Sequence, residues 1–232
     1  MTDHAPSDIS PDKKIALITG ASRGIGRATA LQLAKKGYHI IALARTVGAL
    51  EELDDLITAA GGTCTLVPQD LIQFDKVELL GPALLQKFGR LDLLVANAGV
   101  LGTLGPVAHT SPKDFEKVFK INVEANFRLI RTLDPLLKQS DAPQVVFLTT
   151  SDSVMDGRAY WGAYGASKAA LQSLARTYEA ENQQNNLQVH LFNPGATRTA
   201  MRAAAMPGED PETLPTPEHV AGRLVELLLP TA

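Results

Sequence analysis

The stretch "ITGASRGIG", Ile18 to Gly26, places Gly20, Gly24 and Gly26 directly after an apolar run. Glycine gives up more backbone entropy on folding than any other residue and fills no core, so this cluster needs a structural reason. A strand ending at Thr19, a tight turn, and a helix with Ile25, Ala28 and Leu31 on one side would supply it. That is the first strand–turn–helix unit of a dinucleotide-binding fold. Gly20 then permits the turn, Gly24 lets a pyrophosphate approach the backbone, and Gly26 lets helix pack on strand, while free N–H groups at the helix start face the phosphates. A turn packed for its own sake needs the same glycines, so the rest of the chain must decide.

From Lys14 onward, short runs rich in Val, Ile and Leu alternate with longer segments of helical period. This pattern predicts an α/β chain, a Rossmann-like doubly wound parallel sheet. Six strands are expected at 15–18, 40–44, 64–67, 91–96, 145–148 and 187–192, with helices at 24–36, 48–60, 72–88, 112–139, 163–184 and 217–229. Gly37, Gly61 and Gly89 fall just past three helix ends, and Gly81-Pro82 should interrupt the third helix. The Pro-rich stretch 206–217 reads as an exposed loop, placed after the sixth strand where a substrate lid could sit. Residues 1–13 read as a flexible arm and 14–232 as a single domain.

Charge and composition narrow the function. Twenty-two basic and 25 acidic residues give a net charge of -3, without a run of five or more like charges, so neither nucleic acid nor a membrane surface is an expected partner. Cys64 stands alone, the five histidines have no metal-ligand spacing, and no leader or spanning segment is visible. A metal-free, cytoplasmic protein is the expectation.

The TGxxxGxG spacing resembles the short-chain dehydrogenase/reductase family, and further stretches in that family's order agree: "NAG" at 97–99, Asn122, Ser151 with "YGASK" at 164–168, and "NPGATRT" at 193–199. The resemblance covers roughly residues 14–200, and the later stretches are also similar to a bacterial subgroup of oxidoreductases whose natural substrate is open. It implies hydride transfer between a nicotinamide and a carbonyl or alcohol substrate such as a ketone, aldehyde or diketone. A non-catalytic NADP(H)-sensing protein on the same fold is the alternative, and it predicts damage among Asn122, Ser151, Tyr164 and Lys168, all of which are present.

Tyr164 and Lys168 are four apart in a helical segment and share a face with Leu171, Ala175 and Tyr178. A nearby ammonium favours phenolate, so Lys168 is expected to lower the pKa of Tyr164, the general acid/base. Ser151 precedes Tyr164 by the spacing of the family's substrate-orienting serine, with Ser153 as competitor. Either serine could instead form a turn. Asn122 shares a predicted stripe with Phe115, Val118, Ala125 and Leu129. By resemblance it holds a water that links the lysine to solvent; a satisfied structural amide is the other reading.

The expected cofactor set begins with Gly20, Ser22, Arg23, Gly24, Ile25 and Gly26. Asp70 and Leu71 follow the third strand, where by resemblance Asp70 meets the adenine amino group, although a local backbone bond is equally open. Asn97, Ala98 and Gly99 would approach the adenine ribose. By resemblance Pro194 and Gly195 shape the nicotinamide wall and Thr199 holds the carboxamide. An NAD-preferring fold places an acid at the end of the second strand. Here Ala44 stands in its place, Arg45 follows and Arg23 is near, so NADP(H) is expected over NAD(H).

Leu101, Val154, Met155, Trp161 and Met201 are expected to surround the substrate, with Tyr160 and Trp161 overhanging it. Cys64, His39 and His190 read as structural. The family's usual seventh strand is missing from the pattern, which places a tetramer in doubt and leaves a homodimer through 112–139 and 163–184 as the expected assembly.

Overall fold

The computed structural model describes residues 13–229, so most of the expected N-terminal arm lies outside the described residues. The chain opens with β1 (Ile15–Thr19), α1 (Gly24–Lys35), β2 (His39–Ala44), α2 (Val47–Ala59) and β3 (Thr63–Pro68). Next come α3 (Phe74–Glu78), α4 (Leu80–Phe88), β4 (Leu93–Ala96), α5 (Pro112–Phe119) and α6 (Ala125–Leu137). The last part holds β5 (Gln144–Leu148), α7 (Asp152–Met155), α8 (Gly162–Glu181), β6 (Gln188–Phe192), α9 (Ala200–Ala205) and α10 (Pro217–Leu228).

Among the described residues the strands form one sheet in the order β3-β2-β1-β4-β5-β6, all neighbours parallel. The alternation of a strand sends Ile15 and Leu17 into a core with Leu129 and Leu133 of α6 and Leu171 of α8. Ala16 and Ile18 enter the other core, with Leu33 of α1, Leu50 of α2 and Leu224 of α10. Both faces are therefore covered, as the apolar runs of β1, β2 and β4 require. The order reverses between β1 and β4, which opens a crevice at the carboxyl ends of these strands.

The expected elements are present, with informative shifts. β4 starts at Leu93 rather than 91 because Asp92 serves as a junction: its carboxylate accepts from Ile15 N at 2.7 Å and Ser140 Oγ at 2.6 Å. The third helix divides at Leu79, ahead of Gly81-Pro82, since a first-turn proline has no helical N–H to lose. Gly81 itself is needed for contact, because a Cβ there would lie 2.0 Å from Thr132 O of α6. Gly89 caps α4 at φ 75°.

The expected helix 112–139 is interrupted: Lys120–Glu124 forms a π-helical turn between α5 and α6. The extra residue in that turn rotates α5 by about 100° relative to α6. Phe115 is therefore 44% exposed instead of sharing the buried stripe with Asn122, Ala125 and Leu129.

The two histidines of the sheet are structural. His39 is buried beside β3, its ring nitrogens 2.8 Å from Thr63 Oγ1 and 3.0 Å from Thr65 Oγ1, and burial lowers its pKa to about 4. His190 pairs with Gln144 Oε1 at 3.1 Å. Cys64 is half-buried, its thiol pushed up to about 12 mainly by burial. No helix of the described residues is long and apolar enough to cross a membrane.

Candidate active site

Two adjoining cavities occupy the crevice. The larger, about 440 Å³, runs from the glycine turn past the ends of β2 and β3 to Tyr164 and Lys168. Gly20 and Gly24 hold φ of 66° and 55°, a left-handed backbone that glycine adopts without strain. Gly26 lies beneath the turn: a Cβ there would meet Gly20 O at 2.4 Å and Asn97 Nδ2 at 2.5 Å. The turn is stitched to β4 by Asn97 Nδ2, which donates to Thr19 O at 2.8 Å, and by Ala98 N, which donates to Thr19 Oγ1 at 2.9 Å.

Ser22 and Arg23 of the turn, with Gly24 and Ile25 at the start of α1, line this cavity. Arg23 stands at the N-cap position, and no side chain caps α1, nor does an acid sit in its first turn. Arg45 faces the cavity from the end of β2, beside Ala44. Asp70, Leu71, Asn97, Ala98 and Gly99 complete the wall on either side of β1. Asp70 Oδ1 also accepts from Ile72 N at 3.2 Å, the local backbone bond left open by the sequence. Gln69 lines the cavity too, although no motif marked it, and so does Arg198, which stands inside the "NPGATRT" stretch without a role assigned from the sequence.

Tyr164 and Lys168 occupy one buried face of α8 with Leu171, Ala175 and Tyr178, as their spacing predicts. Lys168 Nζ donates to Leu148 O at 2.7 Å and lies 5.8 Å from the centre of the Tyr164 ring. Burial lowers the Lys168 pKa to about 8. The expected depression of the phenol is corrected here: burial raises the Tyr164 pKa, and the opposing influence is a hydrogen bond with Thr150. Lys168 still carries its ammonium at neutral pH, but burial of the phenol outweighs it at Tyr164.

Asn122 is fully buried in the π turn. Its Oδ1 accepts from Val100 N at 2.8 Å, and its Nδ2 donates to Val100 O at 2.9 Å and to Ser167 Oγ at 2.9 Å. The amide is thus satisfied by protein, and it ties the "NAG" strand end to α8 one residue before Lys168. Ser167 joins this network without a pattern in the sequence to distinguish it from other helix serines.

The smaller cavity, about 300 Å³, begins where the larger ends. Thr150 and Ser151 enter it from the end of β5; Leu101, Val154, Trp161 and Met201 supply apolar walls. Ser151 Oγ lies 3.1 Å from Ser153 Oγ, so the competing serines form a pair, with Ser151 on the cavity wall and Ser153 exposed. Met155 is a correction: α7 turns it to a groove on the far side, with Asp152 and Asp156. Tyr160 is 62% exposed and does not overhang the cavity, whereas Trp161 is buried against Tyr164.

Pro194 and Thr199 border both cavities, while Gly195 borders the smaller. The Thr199 hydroxyl is engaged locally, accepting from Arg202 N at 3.2 Å as the cap of α9 and donating to Thr197 O at 3.3 Å. The Pro-rich stretch 206–217 is strapped down by the ion pairs Arg202–Glu209 and Arg198–Glu212. Met206 packs against the cluster of Val154, Trp161 and Tyr164.

A family model described as short chain dehydrogenase matches residues 14–210. The uncharacterized oxidoreductase YciK of Escherichia coli K12 is 38% identical over 218 residues, 89% of this chain and 82% of that protein. A structure from Escherichia coli CFT073 complexed with NADPH is 38% identical, covering 93% of this chain and 88% of its own, at a TM-score of 0.84. An alcohol dehydrogenase from the archaeon Thermococcus sibiricus, complexed with 5-hydroxy-NADP, is 31% identical over 94% of this chain and 92% of its own, also at 0.84.

Proposed function

The chain belongs to the short-chain dehydrogenase family, and on that premise we propose that it is an NADP(H)-dependent carbonyl reductase or alcohol dehydrogenase acting through Tyr164. One observation carries this reading. Of the residues that border both cavities, Tyr164 alone has a titratable side chain. A proton donor there faces the larger cavity's contents on one side and the smaller cavity's on the other.

The larger cavity suits a dinucleotide phosphate. The glycine turn leaves no side chain between backbone and ligand, the N-terminus of α1 is uncapped, and Arg23 and Arg45 line the same cavity. Ala44 at the end of β2 places no carboxylate against a 2′-phosphate, which supports NADP(H) over NAD(H). Solved relatives bound to NADPH and 5-hydroxy-NADP point the same way. Asn97, Ala98, Gly99, Asp70 and Leu71 would border the adenosine half, and Pro194, Gly195 and Thr199 the nicotinamide.

Bound there, the cofactor supplies or accepts hydride at the nicotinamide ring. The chain's own part is to position the carbonyl oxygen and move a proton. Ser151 Oγ donates a hydrogen bond to that oxygen, stabilising the charge that develops on it. Tyr164 gives the same oxygen its proton during reduction. Its raised pKa keeps the phenol protonated near neutral pH, the form that reduction needs. Lys168 stabilises the phenolate left behind, and Asn122 with Ser167 fixes the strand end against α8.

Replacing Tyr164 by Phe should abolish carbonyl reduction while NADPH binding, followed by nicotinamide fluorescence, persists. Retained turnover in that variant would refute the assignment. The homodimer belongs to the same proposal. Phe115 and Phe127 are 44% and 46% exposed on α5 and α6, an apolar face fit for a second copy. A monomer at micromolar concentration in sedimentation would exclude it. A cytoplasmic setting is part of the same proposal, supported by the single cysteine of the sequence, which suits a reducing compartment.

A further inference from the structure

Two guanidiniums, Arg158 and Arg202, line the smaller cavity, and no acidic residue is among the described residues that line it. Arg202 is already matched: its Nε and Nη2 donate to the Glu209 carboxylate at 2.5 and 2.6 Å. Arg158 is not. Its guanidinium carbon lies 4.9 Å from the Trp161 ring centre, and no carboxylate among the described residues pairs with it. Asp152 and Asp156, its acidic neighbours in sequence, line the groove on the far side of α7.

Trp161 in turn meets the Tyr164 ring edge to face at 5.8 Å. Cation, indole and phenol therefore form a continuous row that starts at the cavity mouth and ends at the proton donor. The backbone holding this row is strained: Tyr160, next to Trp161, has φ 74°, and its carbonyl accepts from Gly105 N at 3.0 Å. A bulky residue in that conformation persists only where its surroundings over-determine it. Stacking covers one face of a guanidinium but leaves its edge N–H groups directed outward, in the fork that matches a carboxylate or phosphate.

We propose that the carbonyl substrate carries an anionic group, a carboxylate or a phosphate, which Arg158 holds against the Trp161 ring. The inference rests on the carbonyl-reductase reading and narrows it. The remaining walls, Leu101, Val154, Met201 and Ala205, enclose the short carbon chain between carbonyl and anion.

Trp161 is the only tryptophan of the protein, so its emission reports directly on this position. With NADPH present, levulinate and methyl levulinate are compared, and likewise dihydroxyacetone phosphate and dihydroxyacetone, in both fluorescence titration and turnover. The expected result is a saturable Trp161 change with an anionic member and a kcat/KM at least about tenfold above its neutral partner, the scale of one charge-assisted contact. Which pair shows it separates carboxylate from phosphate. Arg158→Gln should collapse that ratio towards one. Equal rates for anionic and neutral members, a ratio unchanged in Arg158→Gln, or no saturable change with either anion would overturn the inference. Turnover without preference leaves the reductase reading intact; anion binding that Arg158→Gln abolishes, without turnover of any probe, supports the anion site at Arg158 and shows that these carbonyls are not the substrate.

Discussion

Gly26→Ala isolates the packing of the glycine turn from its flexibility, because Gly26 does not require positive φ. The added methyl would lie 2.4 Å from Gly20 O and 2.5 Å from Asn97 Nδ2. Neither neighbour can move freely. Gly20 O belongs to the turn itself, and Asn97 Nδ2 is held by Thr19 O at 2.8 Å and Gly20 O at 3.3 Å. Relieving the contact means lifting α1 from the sheet or expelling Asn97. Overpacking of this kind costs about 1–3 kcal/mol, and losing the two hydrogen bonds adds about 1 kcal/mol each. Alanine's better helix propensity returns at most about 1 kcal/mol. A net loss of about 2–4 kcal/mol is expected in urea unfolding followed by Trp161 emission, with weaker NADPH binding in parallel. Gly48→Ala is the control: it sits in the first turn of α2 with nothing within 4 Å of the added methyl, and should be neutral or slightly stabilising. A Gly26→Ala protein within about 0.5 kcal/mol of wild type, binding NADPH equally well, would refute the reasoning.

Arg45→Ala should weaken NADPH binding roughly tenfold or more and leave NADH nearly unchanged; equal losses in parallel titrations would mean Arg45 is only a solvated charge. Since burial lowers Lys168 to about 8, its ammonium is lost as pH rises through that value, and kcat for reduction should fall over the same interval. A pH profile flat through the alkaline range would remove Lys168's charge from the mechanism. His39 has a folded pKa of about 4 against an ordinary 6.5, so the unfolded chain binds its proton first as pH falls. Its contribution to stability is complete above about 6.5 and declines towards about 4; urea midpoints across this window should drop in wild type and flatten in His39→Gln.

Patterns repeated along the chain were legible in the sequence; features decided by a single side chain across space were not. The alternation of apolar runs located all six strands within two residues, and the left-handed glycines marked the turn and the helix ends. Tyr164 and Lys168 were legible because four residues in a helix is a fixed direction. Met155 was misplaced because α7 is one turn long, too short for periodicity to assign a face. Phe115 was misplaced because the widened turn at 120–124 has no signature in hydrophobic spacing. The influence of Lys168 on Tyr164 failed for another reason: residue types and spacing carry charge and separation but not desolvation, and burial dominates both groups. Thr150 and Ser167 escaped because hydroxyls are common at strand ends and in helices alike.

The π turn makes the chain length between residues 120 and 124 an angular quantity. Deleting one residue there would let the hydrogen-bond ladder close into an unbroken α-helix, a locally better helix than the present one. Yet it would swing α5 about a quarter-turn against α6, and Asn122 could no longer address Val100 and Ser167 while Leu129 and Leu133 keep their places in the core. Single-residue indels in this stretch are therefore read by the protein as changes of aim, whereas point substitutions on its exposed side are read only as changes of surface.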